Sequence, residues 1–133
     1  MSKIRDFNVA KRYVAELRQK GQLNEAKLLA FARQRRYEET VAALAQLADS
    51  TVEVIRPLMQ SLRHDGLLVP CRAAGLGWQT VSAVLESRYS TDSMGAAELA
   101  KAKNQFAKIT AEDARRLLGF WQIRASSSSP RAN

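Results

Sequence analysis

Apolar side chains recur every three or four positions along most of the chain, the spacing of helices that each bury one face. Phe7, Ala10, Tyr13, Val14 and Leu17 form one such stripe and predict a helix over 6–19, with Gly21 where a helix-terminating glycine belongs. Leu28, Leu29, Phe31 and Ala32 predict a second helix over 23–34, ended by basic Arg33, Arg35 and Arg36 at its negative pole. Val41, Leu44, Ala45 and Ala48 predict a third over 37–48, with Glu38 and Glu39 in its first turn. Ser50-Thr51-Val52-Glu53 reads as a capping box in which Ser50 opens a fourth helix. The stripe of that helix is Val52, Ile55, Met59 and Leu62, and Pro57 within it predicts a kink or a late start. Asp65-Gly66 then turns the chain into a short apolar segment, 67–74, closed by Gly75. Trp78, Val81, Val84, Leu85 and Tyr89 predict a helix over 78–89, and Ser90 to Ser93 a polar connection. Leu99, Ala102 and Phe106 predict a helix over 95–107. A last helix over 111–124 is capped by Thr110 with Asp113, and turns Ala114, Leu117, Leu118 and Trp121 inward.

The pattern therefore predicts an all-α single domain over 1–124, about seven short helices joined as hairpins, followed by a disordered serine-rich tail at 125–133. A length of 133 residues with 46% hydrophobic content is enough to fill one core and too little for two. Val41 to Leu58 and Leu67 to Val84 echo one another weakly: a small-residue helix, a turn, and a second apolar helix. The single cysteine, Cys71, excludes an internal disulfide and suits a reducing compartment. The longest apolar runs, such as Leu28 to Ala32, fall far short of a membrane span, and Met1 to Phe7 lacks the apolar stretch of a secretory signal. A cytoplasmic location is expected.

Charge adds a partner. The chain carries +8 at neutral pH, distributed as +4 over 1–20, −1 over 21–100 and +5 over 101–133, which favours an anionic contact made by the ends. A helix-turn-helix spacing occurs twice, with Ala45, Asp49-Ser50 and Ile55 in one copy and Cys71, Gly75 and Val81 in the other. In the second copy Gln79, Thr80 and Ser82 are the candidate base-reading side chains, and Lys101, Lys103, Lys108, Arg115 and Arg116 the candidate phosphate contacts. Glu86 and Glu53 on the two candidate reading helices argue against a dedicated reader. A membrane-surface role for the first helix, with Lys3, Arg5, Lys11 and Arg12, is diluted by Asp6 and Glu16.

Chemistry is sparse. His64, Asp65 and Cys71 are the one trace of a nucleophilic constellation, and nothing beside them marks an oriented base or an oxyanion site. Cys71 reads as a packing residue, and His64 as a group meeting carbonyls at the end of the fourth helix. One histidine and one cysteine do not build a zinc site, and Gly75-Leu76-Gly77 is not a phosphate cradle. No enzymatic activity and no cofactor are expected. Trp78 and Trp121 lie on apolar stripes and read as core.

Four segments carry a resemblance. Leu28-Leu29-Ala30-Phe31-Ala32-Arg33, then Thr40 to Ala48, then Leu67 through Cys71-Arg72-Ala73-Ala74-Gly75-Leu76-Gly77-Trp78, and last Arg115-Arg116-Leu117-Leu118-Gly119-Phe120-Trp121 with Arg124, resemble the carboxy-terminal part of a mainly alphaproteobacterial family, the domain of unknown function 2336, over roughly 23–124. The resemblance implies a HEAT-like helical scaffold that presents surfaces to protein partners, with no activity attached. The expectation is thus a non-catalytic module that binds another protein, with Arg33, Arg35, Arg36 and Arg72 pairing an acidic surface, self-association as a further possibility of a short array, and nucleic-acid binding as the alternative.

Overall fold

The structure is a computed structural model that describes residues 7–88 and 94–128. Their regular structure is entirely helical: α1 (Phe7–Gln19), α2 (Glu25–Arg33), α3 (Tyr37–Leu47), α4 (Val52–Gln60), α5 (Asp65–Ala73), α6 (Trp78–Glu86), α7 (Ala96–Lys108) and α8 (Ala111–Ser128). Seven of these coincide with predicted helices. The eighth, α5, is the small-residue apolar segment that opens the second echo, and it starts at Asp65, where the sequence pattern places a turn. Leu67, Leu68, Val69, Pro70 and Cys71 are all buried, so the centre of the helix has no polar face to mark its bounds.

Several boundaries move for local reasons. Thr51, not Ser50, caps α4: its side chain accepts from the Val54 N–H at 3.3 Å, while the Ser50 hydroxyl donates to Gln122 of α8 at 3.5 Å. The helix starts on time at Val52 with Pro57 exposed inside it, and it ends at Gln60, so Leu62 leaves the stripe and stands 98% exposed. Thr110 caps α8 as expected, its hydroxyl accepting from the Asp113 N–H at 3.0 Å, and α8 continues four residues past the expected end to Ser128. Leu117 of α8, expected inward, is 39% exposed, and Tyr13 sits at the rim of the core, edge-on to Phe31. Residues 1–6, Tyr89 with the connection through Ser93, and 129–133 of the expected tail lie outside the described residues.

Four helix ends share one geometry. Residues Gly21, Arg35, Asp49 and Gly75 have φ of 69°, 59°, 59° and 74°. Just beyond each, an N–H reaches back to the last turn: Gln22 to Leu17, Arg36 to Phe31, Ser50 to Ala45 and Leu76 to Cys71, at 2.8–3.2 Å. This is the six-to-one bond of a Schellman turn, which satisfies carbonyls a helix end leaves open. Ala45 and Cys71, and likewise Ile55 and Val81, are buried on either side of equivalent turns, so the two hairpins that echo each other in sequence are built alike.

Two helices form the centre. Along α3, Thr40 to Ala45 are all buried, and α1, α2, α4 and α5 lie against it. Three alanines in that run let neighbours approach closely. Around α5 stand α3, α4, α6, α7 and α8. Contacts between α2 and α6, and between α5 and α8, tie distant parts of the chain into one core that includes Leu28, Leu44, Ile55, Leu67, Leu68 and Leu85.

Candidate functional site

The helix expected to read a groove is instead held at both ends by α2. At its start, the Glu25 carboxylate accepts from the Gly77 N–H at 2.9 Å and from the Thr80 hydroxyl at 2.6 Å. At its far end, the Arg35 guanidinium donates to the Glu86 carbonyl at 2.7 Å. An anion thus meets the positive pole of α6 and a cation its negative pole, the arrangement a helix dipole favours. Since Glu25 opens α2 and Arg35 follows its end, the two helices run parallel. Thr80 is therefore corrected as a base-reading candidate, because it is 2% exposed and its hydroxyl is engaged. Glu25, which anchors this pairing, has no signal in the sequence, since its partners lie more than fifty residues away.

The same device recurs. Arg72, near the end of α5, donates to the Phe106 carbonyl of α7 at 2.8 Å and lies 3.8 Å from the centre of the Phe106 ring. Arg88, just past α6, donates to the Met59 carbonyl at the end of α4 at 3.1 Å and also to the Ser61 carbonyl. Arg72 is thus corrected as a partner-binding candidate: its charge neutralises a helix end inside the fold. Arg36 pairs with Glu39 at 3.1 Å and lies 5.5 Å from the Phe31 ring centre. Of the four expected arginines, Arg33 is the one with no described pairing.

Arg33 and Arg35 come together with Gln79, Ser82 and Glu86 around a 250 Å³ groove between the ends of α2 and α6. Two sets of candidates that the sequence assigns to rival functions therefore share one place. Its hydroxyls face inward in bonding, Ser82 donating to the Gln79 carbonyl and Ser87 to that of Val84, at 2.9 and 2.7 Å. On α7, Lys101 and Lys108 are seven residues apart and share one exposed face with Asn104, while exposed Lys103 leaves from another side. Arg115 is exposed, and Arg116 is paired with Asp113 at 3.3 Å and Glu112 at 3.6 Å.

Cys71 is fully buried, and that burial pushes its thiol up to about 12. It is a core side chain, as expected. His64 stands not at the end of α4 but just before α5, and its ring caps nothing there. No group of three His, Cys, Asp or Glu that could hold a metal ion occurs among the described residues. No helix among them is long and apolar enough to cross a membrane.

Three of the exposed large apolar side chains among the described residues lie on α8. Ala114 and Leu118 enter the core, with Trp121 packed against it, while Leu117, Phe120 and Ile123 point outward with exposures of 39%, 66% and 65%. They follow one another at three-residue steps along the solvent side, flanked by exposed Arg115, Arg116 and Arg124. Sequence periodicity placed Leu117 on the wrong side because it does not show that α8, packed on α4 and α5, buries only a narrow face that holds Ala114 and Leu118.

Against known proteins, a family model described as "Uncharacterised protein conserved in bacteria (DUF2336)" matches residues 1–119. The match therefore includes α1, ahead of the region whose residues carry the resemblance. None of the curated proteins and none of the solved structures compared matches the chain.

Proposed function

Because the chain belongs to that bacterial family, whose description names no activity, its own surfaces carry the reading, and we propose that it is a non-catalytic helical module that binds another protein through α8. The observation behind this is the row Leu117, Phe120 and Ile123, three large apolar side chains left in water on a helix whose opposite face is already in the core. Exposing such a row is unfavourable by roughly 25 cal/mol for each Å² of apolar surface, and burial against a partner recovers it. The row is a convex ridge, so the partner surface that fits is a groove, entered by an amphipathic helix in the familiar way. Arginines along the ridge and a chain charge of +8 select a groove with an acidic rim. The succession of contacts from α1 to α3, α5 and α7 is in keeping with stacked, HEAT-like hairpins, an architecture that serves binding. A lone, buried cysteine fits a cytoplasmic setting.

The test compares wild type with the double variant Phe120→Ser, Ile123→Ser by cross-linking in native lysate and mass spectrometry, with and without nuclease. Both side chains are exposed, so the variant is expected to keep its helicity and melting temperature while losing the cross-linked protein. Equal capture by the variant removes α8 from the reading. Capture that disappears with nuclease replaces the protein partner by nucleic acid.

A further inference from the structure

A second concavity lies far along the chain from α8, where α1 and the first turn of α4 flank α3. It encloses 360 Å³, at the lower end of the range for small-molecule sites. The space exists because Ala15 on α1 and Ala42 and Ala45 on α3 are small, and Val52 extends the same apolar lining. Lys11, Arg12 and Glu53 supply its charges. Lys11 and Glu53 neutralise one another across 3.2 Å, joining α1 to α4. Arg12 has no hydrogen bond or ion pair to any described residue. The lining therefore combines an apolar floor with one uncompensated, permanently charged guanidinium.

We propose that this trough binds a small amphipathic anion, a carboxylate carried on a short alkyl body. The carboxylate takes the fork of Arg12, and the alkyl body covers Ala15, Ala42, Ala45 and Val52. Each half of the ligand answers a different half of the site. An inorganic anion makes no contact with the apolar lining, and a neutral hydrocarbon leaves Arg12 without a partner. The trough touches α8 only through Ser50 and Gln122, shares no residue with the row Leu117, Phe120 and Ile123, and stands or falls without it.

The experiment is a titration of the full chain with hexanoate, acetate and hexanol, followed by amide chemical shifts in two-dimensional NMR. Saturable hexanoate shifts confined to residues 11–15, 42–46 and 50–53, with acetate and hexanol each at least about tenfold weaker, are expected. Arg12→Gln is expected to weaken hexanoate about tenfold, and Ala15→Leu, which fills the trough from a half-buried position, to abolish the shifts. Thermal unfolding of both variants separates lost binding from lost folding, and an Ala15→Leu chain that fails to fold leaves Arg12→Gln, at an exposed position, to decide. The proposal is overturned by no saturable hexanoate shift, by hexanol binding as well as hexanoate, or by unchanged affinity in Arg12→Gln.

Discussion

Arg72 shows how much one side chain does in this fold. It lies 3.8 Å from the Phe106 ring centre and bonds the Phe106 carbonyl, so it joins α5 to α7 through both charge and stacking. A charge-assisted bond contributes about 1.5–3 kcal/mol and a cation over a ring about 0.5–2 kcal/mol. Its Nε is buried without a partner, which subtracts from the total. Arg72→Ala is expected to cost about 2 kcal/mol in urea unfolding, and Arg72→Lys about 1 kcal/mol, because lysine keeps the charge and loses the planar fork. A cost near zero for Arg72→Ala would return this arginine to the surface role its sequence position suggests. Its neighbour Cys71 makes a statement about pH. The folded thiol holds its proton up to about 12, whereas the unfolded one ionises near its ordinary 9.0. Between those values the unfolded state binds fewer protons, so the contribution of Cys71 is complete below pH 9.0 and is lost as pH rises toward 12. Cys71→Ala is therefore expected to lose less melting temperature than wild type between about pH 8 and pH 10.5. The same burial makes the folded thiol inert to alkylating reagents until denaturant is added.

At the scale of elements, α6 is the clearest case of a helix held from outside. Its two ends are answered by Glu25 and Arg35, about 13 Å apart for nine residues at the helical rise. Glu25→Gln and Arg35→Gln are each expected to cost about 1 kcal/mol, and the double variant close to the sum, since groups that far apart with no shared partner behave independently. Strong non-additivity in a double-mutant cycle would mean that α2 and α6 separate as a unit once either end is released. Such pairings explain what sequence could and could not reveal. The stripes of α1, α2 and α6 were legible because each of those helices keeps some solvent side, α3 was marked by Glu38 and Glu39 in its first turn, and Gly21 and Gly75 marked turns by their residue type. Arg35 occupies the same left-handed turn with nothing in its identity to announce it. The centre of α5, buried from Leu67 to Cys71, has no polar face to mark where the helix starts. For the site, the sequence found Arg33, Arg35, Gln79 and Ser82 but assigned them to two functions, because the contact that unites them is between α2 and α6, which are distant in the chain. Arg72 carried no mark distinguishing a cation that caps another helix from one that waits for a partner.

For the whole molecule, net charge and available charge differ, and the difference sets how the protein meets a polyanion. The chain carries +8, yet among the described residues Arg35, Arg72 and Arg88 hold helix carbonyls, and Arg36, Arg63 and Arg116 are paired with carboxylates. The candidate phosphate contacts left exposed and unpaired on α7 and α8 are Lys101, Lys103, Lys108 and Arg115. Each phosphate neutralised contributes about 0.9 to the slope of log affinity against log salt on duplex DNA. Four contacts give a slope of about −4 at most, and since Lys103 leaves α7 from another side, fewer can engage one duplex at once. Gel retardation of a random duplex is thus expected only at low salt, with a shallow slope and no retained complex near about 0.15 M. Charge reversal at Lys101 and Lys108 is expected to remove most of it, while leaving the α8 cross-link intact. A slope of about −6 or steeper would require cations that the fold now engages internally to be released on binding, and would mean that the protein rearranges to hold a polyanion.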